Sequence, residues 1–158
     1  MIVRRLEIIL AVIGAVVLSG CGSATPSVHK TEEYTPLFAA ADACDLETVR
    51  ANVGRNRALL NASSWEKTTL LHEAVGHNCI ELVAYLLDQG ADANARTSDD
   101  TTPLHMAARR GNITIATLLL QHGAKVNAVD SKNATPLDAA KDWKHADMVS
   151  FLEQHGAR

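Results

Sequence analysis

The sequence predicts an all-α solenoid, a row of stacked helix-turn-helix repeats, and three observations support this prediction. An opening motif, Thr-Pro-Leu or a close variant, starts at Thr35, Thr69, Thr102 and Thr135. Successive starts lie 34, 33 and 33 residues apart. A helix-ending segment repeats with a similar spacing, at Gly90, Gly123 and Gly156. Because one unit of this length cannot bury its apolar face alone, such units stack on one another.

The segment from Thr102 to Asn127 shows most clearly how one unit is built. Pro103 suits the first position of a helix, where a missing N–H costs nothing. Gly111 can adopt the positive φ that ends a short helix. The apolar residues that follow predict a second helix with a wide buried side: Ile113, Ile115, Leu118, Leu119 and Leu120. The unit therefore reads as helix, turn, helix and loop.

The spacing and the Thr-Pro-Leu-His-x-Ala opening at Thr102 resemble the ankyrin repeat. The resemblance covers residues 35–158 and implies an ankyrin-repeat solenoid with hairpin loops. The first copy has Phe38 in place of the histidine, and the last copy stops just after its second helix. Atypical end copies are typical of capping repeats. The predicted repeats span about 35–68, 69–101, 102–134 and 135–158.

The N-terminal segment has the pattern of a secretory signal. Arg4 and Arg5 precede a mostly apolar run from Leu6 to Leu18, and small residues follow. A retained membrane anchor is the alternative, but the run is short for a span, which needs about 20 apolar residues.

Leu18-Ser19-Gly20-Cys21 resembles the cleavage box of bacterial lipoproteins. The resemblance implies that residues 1–20 are removed and that Cys21 is lipidated. Gly22 is not the aspartate that marks inner-membrane retention, so the resemblance favours the periplasmic face of the outer membrane. Residues 21–33 lack apolar periodicity and are expected to form a disordered tether before a domain at 34–158.

The charge balance excludes one class of partner. Removal of residues 1–20 leaves a formal net charge of −4. Nucleic-acid-binding domains usually carry a basic patch, so no nucleic-acid partner is expected.

With Cys21 lipidated, Cys44 and Cys79 remain as a pair in an oxidising compartment. Each falls at the turn between the first and second helix of its own repeat, and the two repeats are adjacent. Stacked helices lie about 8–10 Å apart, slightly beyond the reach of a disulfide, but the one-position offset of the two cysteines could shorten the gap. A disulfide and two unpaired small apolar residues both stay open.

No catalytic or metal-binding pattern stands out. In the ankyrin pattern His72 and His105 are structural, and His77 has no suitably spaced cysteine or acidic neighbour in the sequence. The nucleophile elbow and the phosphate-binding glycine loops are missing from the sequence. We therefore expect no enzymatic activity, no cofactor, no metal and no small-molecule substrate.

Ankyrin arrays bind protein partners through hairpin tips and the inner helices of the concave side. Carried over by position, the resemblance implies that the partner-binding residues are Trp65, Glu66, Thr68, His77, Ser98, Asp99, Thr101, Arg109, Arg110, Ser131, Lys132 and Trp143. Trp and Arg are the residues most enriched at interface hot spots. Alternatively, Trp143 packs onto the terminal cap and the Arg pair is a solvated helix end.

These observations predict a non-enzymatic protein-binding module tethered to the bacterial envelope membrane. Its partner would be a toxin that it neutralises, as an immunity or inhibitor protein, or a periplasmic enzyme that it helps. Two other classes stay open: a metal-dependent or hydrolytic enzyme on the same scaffold, and a purely structural lipoprotein.

Overall fold

A computed structural model describes residues 31–64 and 66–158. In order, its helices are α1 (Thr31–Asp42), α2 (Leu46–Arg55), a 3-10 turn (Arg57–Asn61), α3 (Leu70–Gly76), α4 (Ile80–Asp88), α5 (Pro103–Arg110), α6 (Ile113–Gln121), α7 (Pro136–Asp142) and α8 (Ala146–Gln154). Ser63 and Thr69 form an isolated antiparallel bridge. The predicted all-α solenoid of four ankyrin-type helix pairs is confirmed.

The helices form two layers. In one layer α3 packs against α1 and α5, and α5 packs against α7; in the other, α6 packs against α4 and α8. Equivalent apolar residues fill the space between the layers in each repeat. The first helices contribute Leu37, Leu71, Leu104 and Leu137, and the last three second helices contribute Leu86, Leu119 and Leu152, all buried. Each repeat therefore completes the core of its neighbour.

The turn between the paired helices uses a left-handed residue in every repeat. Gly111 has φ +69°, as predicted from its place after α5. The equivalent positions are occupied by Cys44, Asn78 and Lys144, with φ between +56° and +63°. At two of these positions, Cys44 and Lys144, the backbone adopts a left-handed conformation that costs a residue with a Cβ about 1–2 kcal/mol. The packing of the array therefore imposes the turn even where the residue does not favour it.

The hairpin tips that connect the repeats are joined to one another in a row. Each tip contains a residue with positive φ: Lys67, Asp100 and Asn133. The Ser98 backbone N–H donates to the Glu66 carbonyl oxygen at 2.8 Å, and the Ser131 N–H donates to the Asp99 carbonyl oxygen at 3.0 Å. These bonds fix the tips of neighbouring repeats against each other.

The N-terminal boundary of the array differs from the sequence prediction. Helix α1 begins at Thr31, so residues 31–33, assigned above to the tether, are helical, and Pro36 lies inside the helix. A proline removes one backbone hydrogen bond, but α1 still extends for one further turn on the N-terminal side of Pro36. The predicted signal peptide, the predicted lipidation site Cys21 and the rest of the predicted tether lie outside the described residues.

The α-helices in the part of the chain that the structure describes have between 7 and 12 residues. No helix there has the length and apolar character that crossing a bilayer requires.

Candidate protein-binding surface

Half of the predicted binding residues line one groove between two hairpin tips and helix α5. We call it the tip groove; it measures about 360 Å³ and is lined by Glu66, Thr68, Thr97, Ser98, Asp99, Thr101, Met106 and Arg109. All but Thr97 and Met106 were predicted from the sequence.

The tip groove offers polar and charged groups of both signs around one apolar side chain. Glu66, Asp99 and Arg109 are exposed, whereas Met106 is half-buried. The Arg109 carbonyl oxygen is bonded to His145 Nε2 of the next repeat at 3.0 Å, which fixes the end of helix α5. Hydrogen bonds to backbone atoms thus hold the groove walls in place, while the side chains that line the groove stay available to a partner.

Three further predicted residues lie at equivalent helix ends. His77 and Trp143 cap the C-termini of α3 and α7, and Arg110 is the last residue of α5. Because α3, α5 and α7 pack side by side, these residues form a row beside the tip groove. Trp143 exposes 60% of its surface, so it does not pack away onto the terminal cap.

Of the other predicted residues, Ser131 and Lys132 are exposed at the third hairpin tip. The Lys132 N–H donates to Asp130 Oδ1 at 2.8 Å, which shapes that tip. Trp65 lies outside the described residues.

The buried histidines tie the starts of α3 and α5 to the residues that directly precede the next repeat. His72 Nδ1 accepts from the Thr69 hydroxyl at 2.9 Å and from the Thr69 N–H at 3.3 Å, and Nε2 donates to the Thr101 carbonyl oxygen at 3.2 Å. His105 repeats this arrangement with Thr102 and with Ala134, which directly precedes the following repeat. Burial lowers the pKa of both imidazoles. They are neutral structural groups and are not free for chemistry.

The last repeat replaces this histidine with Asp138. Its carboxylate accepts from the Thr135 N–H at 2.8 Å and from the Thr135 hydroxyl at 2.7 Å. These bonds hold the pKa of Asp138 below its usual value. An aspartate caps its own helix but is too short to bridge repeats, and no described repeat follows it.

Sequence reasoning did not identify a row of asparagines that also joins the repeats. Asn94 Nδ2 donates to the Gly123 carbonyl oxygen at 2.9 Å, and Asn94 Oδ1 accepts from the Lys125 N–H at 2.8 Å. Asn127 makes the same pair of bonds one repeat later, with Gly156 and Arg158. The recurrence of Asn94 and Asn127 exactly 33 residues apart was the available signal.

Cys44 and Cys79 are joined by a disulfide. Their Cα atoms lie 5.3 Å apart, within the range that a disulfide requires. Cys44 occupies the left-handed turn position, whereas Cys79 comes one residue after its counterpart Asn78. This offset brings the two backbones closer than the helix spacing alone would.

Two carboxylates lie beside His77, which corrects the expectation that it has no suitably spaced acidic neighbour: Glu73 stands four residues earlier in the sequence, and the fold adds Asp42. Asp42 ends helix α1, and Glu73 lies one turn before His77 in α3. One ligand atom from each of the three side chains lies within 4.8 Å of the others. Burial, together with Asp42 and Glu66 nearby, raises the pKa of Glu73 to about 7. We call this group the Asp42–Glu73–His77 cluster.

Comparisons with known proteins support the repeat assignment over part of the chain. Residues 71–120 match the family model described as ankyrin repeats (many copies). Two toxins of Latrodectus tredecimguttatus, alpha-latrocrustotoxin-Lt1a and alpha-latroinsectotoxin-Lt1a, are 37% and 36% identical to this chain over 61 residues. Each match covers 39% of this chain and only 4% of the toxin's length. The similarity therefore lies in the repeats. Ankyrin repeats generally serve as a non-enzymatic scaffold for protein–protein interaction.

Proposed function

Because the described residues fold as an ankyrin-repeat array, we propose that this chain is a non-enzymatic module that binds a protein partner through the tip groove and the row of helix ends beside it. The observation that carries the proposal is that six of the twelve sequence-predicted residues line one groove. The other described members lie at equivalent helix ends or at the next tip.

The chemistry of the groove suits a polypeptide. Threonine and serine hydroxyls can bond to a backbone, while Glu66, Asp99 and Arg109 can form ion pairs with charged side chains. Trp143 and Arg110 add the residue types that dominate interface energetics. The lining residues include no cysteine or histidine.

Site-specific photo-crosslinking in the full-length chain tests the proposal. A photoreactive residue at Ser98, in the tip groove, should capture one protein in cells. The matched control is the same residue at Gln121, at the exposed end of α6 in the other layer, and it should capture none of that protein. Arg109→Glu should abolish the Ser98 crosslink without lowering Tm. Equal capture from Ser98 and Gln121, or capture that survives Arg109→Glu, would contradict the assignment of this surface.

We further propose that the module is lipid-anchored through Cys21 at the periplasmic face of the outer membrane. The pattern of residues 1–21 supports this, and so does the Cys44–Cys79 disulfide, because disulfides persist in oxidising compartments. Cells fed a labelled fatty acid should label the wild-type chain but not Cys21→Ala. Gly22→Asp should shift the labelled chain to the inner membrane. Labelling of Cys21→Ala would contradict the anchor.

The helper and inhibitor versions of the proposal differ in what binding does to the partner. Once the crosslinked protein is identified, its activity is measured with and without the purified chain. A helper raises the activity or the lifetime of its partner, and an immunity protein lowers the activity. If binding changes neither the activity nor the lifetime of the partner, only structural tethering remains as the role of the complex.

A further inference from the structure

We propose that Asp42, Glu73 and His77 bind one divalent transition-metal ion, with Zn²⁺ the best-fitting, between the first two repeats. One ligand atom from each side chain lies within 4.8 Å of the other two. Asp42 comes from α1, while Glu73 and His77 come from α3 and its C-cap. The ion would therefore connect two repeats, at the one end of the proposed partner surface to which His77 also belongs.

The imidazole of His77 is oriented as a metal ligand. Its Nδ1 lies 3.2 Å from the Asp42 backbone carbonyl oxygen, which can only accept, so Nδ1 carries the hydrogen. Nε2 is then the ring nitrogen available to a metal, and it lies 3.9 Å from Asp42 Oδ1, beyond hydrogen-bond distance. Metal-bound histidines are held in the same way, with the other ring N–H on a carbonyl or carboxylate.

The donor set selects the class of metal. One imidazole nitrogen with two carboxylate oxygens is a set that Zn²⁺ uses, at distances of about 2.0–2.2 Å. Ca²⁺ and Mg²⁺ prefer oxygen ligands throughout. Tetrahedral coordination would place the ligand atoms about 3.3 Å apart, closer than the 4.8 Å limit seen here. Asp42 and His77 can make that adjustment because their side chains are 48% and 44% exposed.

The backbone that carries these ligands is already fixed by a covalent bond. Cys44 follows Asp42 by two residues, Cys79 follows His77 by two residues, and the two cysteines form the disulfide. The ends of α1 and α3 therefore stay together before any ion binds. Such preorganisation lowers the entropy cost of assembling a site from two elements.

Zinc binding by the full-length chain, purified in mild detergent without an affinity tag, tests the proposal. Free Zn²⁺ is titrated against a chelating dye, and bound metal is counted after dialysis. The variants are His77→Ala and Asp42→Asn. The control is His122→Ala. His122 Nε2 lies 3.7 Å from Asp88 Oδ1 in a similar exposed pair. Among the described residues, however, His122 and Asp88 belong to no three-residue group that could hold a metal.

The expected result is one Zn²⁺ per wild-type chain and an increase of Tm with Zn²⁺ but not with Mg²⁺. His77→Ala or Asp42→Asn should weaken binding at least about 10-fold, since even the loss of an outer partner costs that much, and His122→Ala should bind as the wild type does. Circular dichroism checks whether each variant is folded. If one cluster variant is unfolded, zinc binding by the other cluster variant decides the test. Absence of stoichiometric binding, or equal affinity in His122→Ala and the folded cluster variant, would overturn the proposal.

Discussion

At the scale of single residues, histidine has two different roles that the sequence alone does not distinguish. His72 and His105 are buried and make hydrogen bonds through both ring nitrogens. His77 is exposed and lies beside Asp42 and Glu73. Only the packing of α1 against α3 brings the carboxylate of Asp42 to His77.

His105→Ala should lower the free energy of unfolding by about 2–4 kcal/mol. The substitution leaves a cavity and removes the partners of the Thr102 N–H and of the Ala134 carbonyl oxygen. Urea denaturation measures the loss. His122→Ala, at an exposed position, should change stability by no more than about 0.5 kcal/mol. Equal effects of the two substitutions would show that the His105 bridge adds nothing.

Glu73 should make the chain less stable as pH rises from about 4.5 to about 7. Its pKa is about 7 in the folded chain, whereas the ordinary pKa of a glutamate is 4.5, so in this window the folded state holds a proton that the unfolded state has released. Asp42 and Glu66 oppose ionisation of the carboxyl. Glu73→Gln removes this dependence, because an amide does not titrate.

The measurement is thermal unfolding at pH 5 and at pH 8 with a chelator present. Relative to Glu73→Gln, the wild type should lose stability between the two values, whereas Glu81→Gln, at an exposed position in α4, should change in parallel with the wild type. Parallel profiles for the wild type and Glu73→Gln would contradict the raised pKa.

At the scale of elements, short helices are held by their ends. Helices α3, α5 and α7 have only seven or eight residues, and each begins at a threonine that forms a capping box with the residue three positions later. Each pair of helices turns through a left-handed residue. Helices of this length are marginal alone in water, so caps and neighbours stabilise them together.

Gly111→Ala and Gly54→Ala should change stability in opposite directions. Gly111 has φ +69°, and an added Cβ would lie 2.7 Å from His145 Nδ1. We expect a loss of more than about 1 kcal/mol. Gly54 lies in α2 with no atom within 4 Å of an added Cβ, so alanine there should add about 0.5–1 kcal/mol. Urea midpoints of both variants check this, and a gain at Gly111 would contradict the turn geometry.

At the scale of the whole molecule, the array is a chain of nearest-neighbour interfaces whose first interface is covalently closed. The disulfide adds to the hydrogen bond that the Asp92 N–H donates to Asn61 Oδ1 between repeats 1 and 2, while the bonds of Asn94 and Asn127 join the repeats that follow. Because stability in a solenoid is nearly a sum of local terms, loss of one link should weaken one end before the other.

Cys44→Ala together with Cys79→Ala should lower the free energy of unfolding by roughly 3–4 kcal/mol, from the loop of about 35 residues that the bond closes. Hydrogen exchange should rise in α1–α3 more than in α7 and α8. A reductant should have the same effect on the wild type and none on the double variant. Uniform exchange along the array would contradict local stabilisation.

The sequence by itself determined the fold, because a period of 33 residues with repeated caps and glycines leaves one way to bury the apolar faces. It also selected six residues that the structure brings together in the tip groove, whereas their role in binding a partner stays a prediction. It assigned residues 31–33, which belong to α1, to the tether, and it missed the asparagine bridges and the Asp42–Glu73–His77 cluster. These depend on which side chains meet across an interface, and only the stacking of the repeats decides that. The closure of the Cys44–Cys79 pair was decided in the same way, because a one-residue offset matters only once the distance between the stacked turns is known.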